Sequence, residues 1–120
     1  MPGVIRAWLA IRIEEPRSAT ARRRLRDRTL LVDPARSFRQ LAEALNLAIR
    51  LWDSSGSHEF VLADGRRIGP PGELQIGDET VIAVGSVLAE GDTFLFRPVG
   101  AADRFCRVVA ANVEPDELPP

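Results

Sequence analysis

The chain of 120 residues contains no lysine and no tyrosine, and it has only one histidine and one cysteine. A single cysteine, Cys106, cannot form an intrachain disulfide, which indicates a reducing compartment. A structural zinc site needs four closely arranged nitrogen or sulfur ligands, more than His58 and Cys106 supply. The sequence therefore predicts no metal and no other cofactor. A mixed site of His58 with carboxylates stays open beside a strand histidine that is hydrogen-bonded or solvent-facing.

The scarcity of histidine and cysteine also argues against an enzyme. No second histidine exists to activate Cys106, whose apolar neighbours are typical of a core thiol. The adjacent carboxylate pairs Glu14/Glu15 and Asp78/Glu79 do not converge, because neighbours on a strand point to opposite faces. We interpret these pairs as solvated turns. Glycine patterns that bind phosphate are also missing, so the sequence predicts no catalytic residues.

Long hydrophobic runs are missing too. No segment approaches the roughly 20 apolar residues that span a bilayer, and the first residues do not resemble a signal peptide. We therefore expect a soluble cytoplasmic protein with no membrane partner. Hydrophobic residues make up 45% of the chain and charged residues 28%, as in globular proteins. The length predicts one domain over residues 1–113, followed by a frayed acidic tail over 114–120.

The first half of the chain predicts two strands and a helix. Residues 4–13 alternate with the period of a strand, and residues 22–32 read as a second strand that pairs with the first. Ser37 is the expected N-cap of a helix that continues to about Leu51. Its apolar stripe follows helical spacing and consists of Phe38, Leu41, Leu45, Ala48, Ile49 and Trp52.

The second half predicts short strands separated by turns. Strands are expected over residues 58–63, 79–84, 93–98 and 104–112, with a turn at Asp64–Gly65 that leads to residues 66–68 and one helical turn over 86–90. The predicted fold class is α+β, with the order ββαβββ(β). One long amphipathic helix is expected to pack on one face of a mainly antiparallel sheet.

Several of these segments together resemble the plasmid pRiA4b ORF-3-like family of small α+β domains. The matching residues are Arg23–Arg24, the helix residues Phe38, Leu41, Ala44 and Trp52, His58 and Phe60, and the stretch from Val87 to Phe96. The resemblance covers roughly residues 4 to 112. It implies a fold and a link to mobile elements, but the family carries no settled activity.

The C-terminal signature of that family is altered in this chain. The family usually has Tyr-Asp-x-Gly-Asp-x-Trp-x-His before the last strand, whereas residues 98–107 keep only Gly100, Asp103 and Phe105 as remnants. The resemblance therefore implies the helix, core and topology, but not a polar site at this place.

Arginine is abundant where other functional residues are scarce. All 16 basic residues are arginine, and residues 1–60 carry 11 of them against 7 acids, whereas residues 61–120 carry 5 against 10. Two functions are consistent with this pattern. The first is a non-enzymatic module that binds a protein, or itself, through a sheet edge. The second is weak nucleic-acid binding by the candidate polyanion-binding residues Arg22, Arg24, Arg26 and Arg28.

Overall fold

A computed structural model describes residues 8–14, 28–48, 58–72, 76–98 and 103–114. One α-helix, α1, covers Phe38–Ala48, and one 3₁₀ turn covers Val84–Ser86. The strands are β1 (Trp8–Glu14), β2 (Arg28–Val32), β3 (His58–Leu62), β4 (Arg67–Gly69), β5 (Ile76–Asp78), β6 (Thr93–Pro98) and β7 (Arg104–Val113). Within these ranges, no helix is both long and apolar enough to cross a membrane.

The described strands form one sheet in the order β2-β1-β7-β6-β3-β4-β5. The predicted antiparallel pairing of the first two strands is confirmed, with Leu9 opposite Val32 and Ile13 opposite Arg28. The expectation of a mainly antiparallel sheet needs correction, because the sheet is mixed. The short strand β5 runs parallel to β4, with Arg67 opposite Ile76. Residues 73–75, between the two strands, lie outside the described residues.

Strand alternation divides the sheet into two faces. On β1 the side chains of Leu9, Ile11 and Ile13 are buried, as the period of the sequence predicts. Phe60 and Phe96 continue the same inner face on β3 and β6, and their ring centroids lie 5.2 Å apart. The inner face is therefore the side of the hydrophobic core.

The helix begins where the sequence predicts, and its described part is short, with 11 residues, where a long helix is expected. Ser37 and Gln40 form a reciprocal cap, in which the Gln40 N–H donates to Ser37 Oγ and the Ser37 N–H donates to Gln40 Oε1. Buried Leu41 and Leu45 join the core, and the Phe38 ring meets Phe60 at 5.1 Å. The predicted continuation through Ile49 to Trp52 lies outside the described residues. The fold is thus mostly sheet with one short helix of 11 residues.

The predicted strand over residues 79–84 is wrong. A strand ends at Asp78, whose Oδ1 accepts hydrogen bonds from the Thr80 N–H at 2.9 Å and the Thr80 hydroxyl at 2.6 Å. This side chain bends the backbone into a turn, so the β-branched residues that follow do not extend. Val81 is 75% exposed at the turn. The helical turn expected over 86–90 is also displaced, since the 3₁₀ turn ends at Ser86.

Candidate functional site

The candidate polyanion-binding residues lie almost entirely outside the described part of the chain. Arg22, Arg24 and Arg26 fall in the undescribed range 15–27. Arg28 is the first residue of β2, opposite Ile13, and only its backbone is described. Nucleic-acid binding by these four arginines therefore stays a prediction.

The described part of the chain presents a different surface, the sheet face that points away from the core. The buried apolar side chains of α1 all belong to the core cluster of the inner face. Side chains that alternate with core residues on the strands must therefore point to the opposite side, which we call the outer face. It is formed by Arg12, Glu14, Glu59, Val61, Arg67, Thr93, Leu95, Arg97, Phe105 and Arg107.

The strand register aligns five outer-face residues in one line, which we call the central row. Its members are successive partners across β1, β7, β6, β3 and β4. In this order they are Glu14, Phe105, Leu95, Val61 and Arg67. Four interstrand spacings give the row a length of about 19 Å. It has an apolar centre of three side chains flanked by an acid, Glu14, and a base, Arg67, and the register continues beyond Arg67 to the half-buried Ile76 of β5.

Phe105 is the most exposed apolar group of the central row. Its relative exposure is 40%, whereas Leu95 on the neighbouring strand and Val61 on the strand after that are half-buried. The guanidinium carbon of Arg107 lies 6.0 Å from the centroid of the Phe105 ring, at the outer limit of a cation–π contact. A rigid ring exposed on a sheet is the kind of side chain that anchors protein interfaces.

Charged side chains surround the apolar centre in pairs of opposite sign. Arg67 Nε donates to Glu59 Oε1 at 2.7 Å, and Arg97 Nη1 lies 3.5 Å from the other oxygen of the same carboxylate. Arg97 Nε also lies 3.4 Å from Asp103 Oδ2. At the far end of the row, Arg107 Nε lies 3.6 Å from Glu14 Oε1. The outer face therefore presents a mosaic of both signs rather than a basic patch.

A second cluster, His58 with Glu79, lies inside the fold. Glu79 is fully buried, and its Oε1 lies 2.6 Å from His58 Nε2. Its Oε2 is 3.8 Å from Arg39 Nη1, which is within ion-pair range but too long for a hydrogen bond. The interpretation of Asp78/Glu79 as a solvated turn is therefore wrong for Glu79. Asp78 does make a turn here, but the side chain of the next residue, Glu79, points into the core.

The His58–Glu79 pair is poorly placed for catalysis. The Nε2 atom of His58 is engaged by the carboxylate, and its Nδ1 atom is buried without a partner in the described chain. Its ring lies 5.9 Å from the Phe96 ring and 6.4 Å from Phe60, so it faces aromatic carbon rather than a substrate. A general base must reach the proton that it removes. We therefore assign the pair a structural role.

The backbone of Glu79 supports the same assignment. The Glu79 N–H donates to the Gly69 carbonyl at 3.0 Å, and the Arg39 N–H donates to the Glu79 carbonyl at 2.9 Å. With the His58 contact, this one residue joins β3, the end of β4 and the first turn of α1. The described residues contain no group of three potential metal ligands, and this pair provides only two.

A groove of about 480 Å³ lies beside the start of α1. It is lined by Ala35, Ser37, Arg39, Gln40, Thr80, Val81 and Ala83. The first helical amides do not point to a ligand, because Phe38 donates to Ile82 and Arg39 to Glu79. The Gln40 amide is used by the Ser37 hydroxyl. The groove thus lacks the unsatisfied N–H groups of an anion site.

Cys106 lies on the inner face, as its apolar neighbours predict, and is fully buried. Burial raises the pKa of the Cys106 thiol to about 12, and the carboxylate of Glu14 adds to the rise. A thiol with such a pKa holds almost no thiolate near neutral pH, which removes it from the candidate nucleophiles.

Comparisons with family models, curated proteins and solved structures give no match to this chain. The assignment of the outer face as the candidate site therefore depends on its geometry alone. Sequence reasoning missed it because the central row depends on the long-range pairings of β1 with β7 and of β3 with β6. A signal was nevertheless present in the alternation of Phe105, Cys106 and Arg107, which places an aromatic and a cation on the side opposite a core thiol.

Proposed function

We propose that this chain is a non-enzymatic interaction module that binds a protein partner through the outer face, with Phe105 as its anchor. The observation that carries the proposal is the central row. In it an exposed aromatic and two aliphatic side chains adjoin on neighbouring strands, between Glu14 and Arg67. Protein interfaces combine such an apolar centre with a polar rim and are enriched in aromatics and arginine.

The charge pattern favours protein over nucleic acid at this face. Arg67, Arg97 and Arg107 each lie beside a carboxylate, so a phosphate backbone would have to displace Glu59, Asp103 or Glu14. A protein surface with its own charges of both signs can exchange these solvated pairs at little cost, since exposed ion pairs contribute about 0–1 kcal/mol each. The partner that fits is therefore an apolar protein patch with a rim of mixed charge.

The proposal includes a cytoplasmic location, which the single cysteine favours, and an accessory role in a mobile element, which the resemblance to the pRiA4b ORF-3-like family implies. The described order of elements is compatible with that resemblance. The helix Phe38–Ala48 is followed by a strand that starts at His58 and later by the aromatic strand Thr93–Pro98, as the resemblance implies. The altered segment around Asp103 adjoins the outer face through Arg97, so a change in partner is the expected consequence.

Affinity capture from native lysate tests the proposed function, with the wild type and two exposed-hydrophobe variants as bait. Phe105→Asp places a charge at the centre of the outer face. Leu47→Asp is the matched control, because Leu47 is 81% exposed on α1. We expect a protein partner that binds the wild type and the control but is lost with Phe105→Asp, with or without nuclease.

The same experiment tests the alternative function. The sequence feature that favours nucleic-acid binding is the basic segment from Arg17 to Arg28. It contains six arginines and one acid, Asp27. If capture depends on nucleic acid and is unchanged by Phe105→Asp, the interface is not the outer face and the arginine segment becomes the candidate. Generic duplex DNA should then bind with a log–log salt slope of about −0.9 for each phosphate that is neutralised.

A further inference from the structure

We propose that a cleft between β1, the end of β2 and helix α1 binds a small zwitterion with an apolar body, which is the chemistry of a free apolar amino acid. The cleft has a volume of about 230 Å³ and is lined by residues of all three elements. None of its lining residues belongs to the outer face. This inference therefore goes beyond the proposed function and does not depend on it.

The turn that joins β2 to α1 supplies the charges of the cleft. Asp33 follows β2 directly, and its Oδ1 accepts the Ala35 N–H at 2.9 Å. The Arg36 N–H donates to the Asp33 carbonyl at 2.9 Å, and the Arg36 carbonyl accepts the Val84 N–H at 2.8 Å. The backbone that carries this acid and this base is therefore held in place, and both residues line the cleft.

The guanidinium of Arg36 has no acceptor among the described residues. Arg36 is exposed, and it forms no ion pair with Asp33 or with another acid of the described ranges. Five other arginines each have a carboxylate oxygen at 3.8 Å or less, namely Arg39, Arg66, Arg67, Arg97 and Arg107. An anionic group can therefore bind Arg36 without displacing a carboxylate of the protein.

Two further donors line the same cleft. The indole N–H of Trp8 is buried and has no acceptor in the part of the chain that the structure describes, although buried indoles normally have one. The side-chain oxygen of Gln40 accepts the Ser37 N–H at 3.0 Å, so the NH₂ group is the end of this amide that remains to donate. A wall with three such donors, one of them cationic, favours a ligand that carries a carboxylate.

The remaining surface of the cleft is apolar. Val32 and Leu41 are buried core residues, and the half-buried Ala44 extends the same surface along α1. Apolar walls with a few polar groups that fix orientation are the usual composition of a ligand site. A volume of about 230 Å³ lies below the roughly 300–1,000 Å³ of sites for drug-sized ligands. The ligand that fits is therefore a small one, with an apolar body about as large as one side chain.

Asp33 distinguishes a zwitterion from a simple anion as the ligand. Its carboxylate lines the cleft together with Arg36 but is not paired with it. A ligand with only a carboxylate would be attracted by the base and repelled by the acid. A ligand with a carboxylate and an ammonium group can pair with both, so its charges complement those of the cleft.

Titration of L-phenylalanine into the ¹⁵N-labelled protein tests this inference by ¹H–¹⁵N correlation spectra. We expect shifts of the Trp8 indole resonance and of the Leu41 and Ala44 amide resonances, with a Kd of about 1 mM for a ligand of this size. Two analogues isolate the charges, because 3-phenylpropionate lacks the ammonium group and phenethylamine lacks the carboxylate. Each analogue should bind about tenfold more weakly, since one charge of the cleft then has no partner.

Two variants assign each charge to its residue. Arg36→Gln should weaken the binding of L-phenylalanine about tenfold. Asp33→Asn keeps a side-chain oxygen for the Ala35 N–H, so it should weaken L-phenylalanine but strengthen 3-phenylpropionate. Arg66→Gln is the matched control, because it removes another exposed arginine, in the turn before β4, and should bind as the wild type does. The spectra also show whether each variant is folded.

Binding that needs both charges of the ligand and both Asp33 and Arg36 supports the inference. The absence of shifts at about 20 mM L-phenylalanine, equal binding of the three ligands, or wild-type affinity in Arg36→Gln overturns it. If a variant fails to fold, the comparison of the three ligands on the wild type still decides. None of these results bears on the outer face, which the capture experiment with Phe105→Asp tests separately.

Discussion

Glu79 is a fully buried carboxylate that follows the short strand β5 directly. Burial of a carboxylate is costly unless it is paired, and here the pairing partner is the only histidine of the chain. Removal of one member of a buried pair leaves an uncompensated polar group. Replacement of both members with apolar residues leaves no buried polar group without a partner. The single and double variants of the pair should therefore differ in their free energy of unfolding.

We expect His58→Phe to lower the free energy of unfolding by about 3–5 kcal/mol, because it leaves the Glu79 carboxylate buried without its hydrogen bond. The double variant His58→Phe/Glu79→Leu should recover most of this loss, since the site is lined by Phe60 and Phe96. Urea unfolding of both variants and the wild type gives the comparison. A His58→Phe variant as stable as the wild type would show that the pair does not support the fold.

The Cys106 thiol should titrate in alkaline solution without overlap from other side chains. The chain has no lysine or tyrosine, so Cys106 is the only side chain that titrates between the ordinary ranges of histidine and arginine. Its folded pKa, about 12, is raised from an ordinary value of 9.0 mainly by burial. The contribution of the neutral thiol to stability is therefore fully present below pH 9 and is lost as the pH rises through 12.

The expected result is a fall in unfolding free energy of at most about 1.4 kcal/mol per pH unit across that window, because the thiol ionises only in the unfolded chain. Urea titrations between pH 8 and pH 11 measure this slope. The control is Cys106→Ala, which should be less stable at pH 8 but should lack the slope. An equal slope in both proteins would assign it to another group.

At the scale of elements, the start and the buried face of helix α1 were predictable from the sequence. Its capping residues and its apolar stripe are local, and both Leu41 and Leu45 are buried at the predicted positions. The strands predicted over residues 93–98 and 104–112 are also confirmed, as Thr93–Pro98 and Arg104–Val113. Residues 79–84 do not form the predicted strand, because a turn made by Asp78 and the buried contact of Glu79 with His58 overrode the β propensity of the residues that follow.

A pair of leucines on α1 tests the helix assignment. Leu45 is fully buried and Leu47 is 81% exposed on the same helix. We expect Leu45→Ala to cost about 2–5 kcal/mol of unfolding free energy, from lost transfer energy and the cavity that remains. Leu47→Ala should change stability by less than about 0.5 kcal/mol. Denaturant unfolding that gave equal values for the two variants would contradict the orientation of the helix.

At the scale of the whole molecule, the inner face makes the core and the outer face remains open to solvent in the described residues. The fold class was predictable because the alternation and the helical stripe are properties of single segments. The outer face was not, because the sequence does not give the strand order that brings Phe105 beside Leu95 and Val61. That order depends on long-range pairing, such as β1 with β7, across roughly a hundred residues.

We infer that the outer face, centred on Phe105, is the surface that this chain uses to bind. Hydroxyl-radical footprinting with mass spectrometry tests this inference by a comparison of the dilute protein with its complex, either self-associated or captured. We expect protection of Phe105 and Leu95 in the complex, with Leu47 and Val81, the other two large apolar side chains that are exposed in the described part of the chain, labelled as before. Protection of Leu47 or Val81 with Phe105 still fully labelled would contradict it.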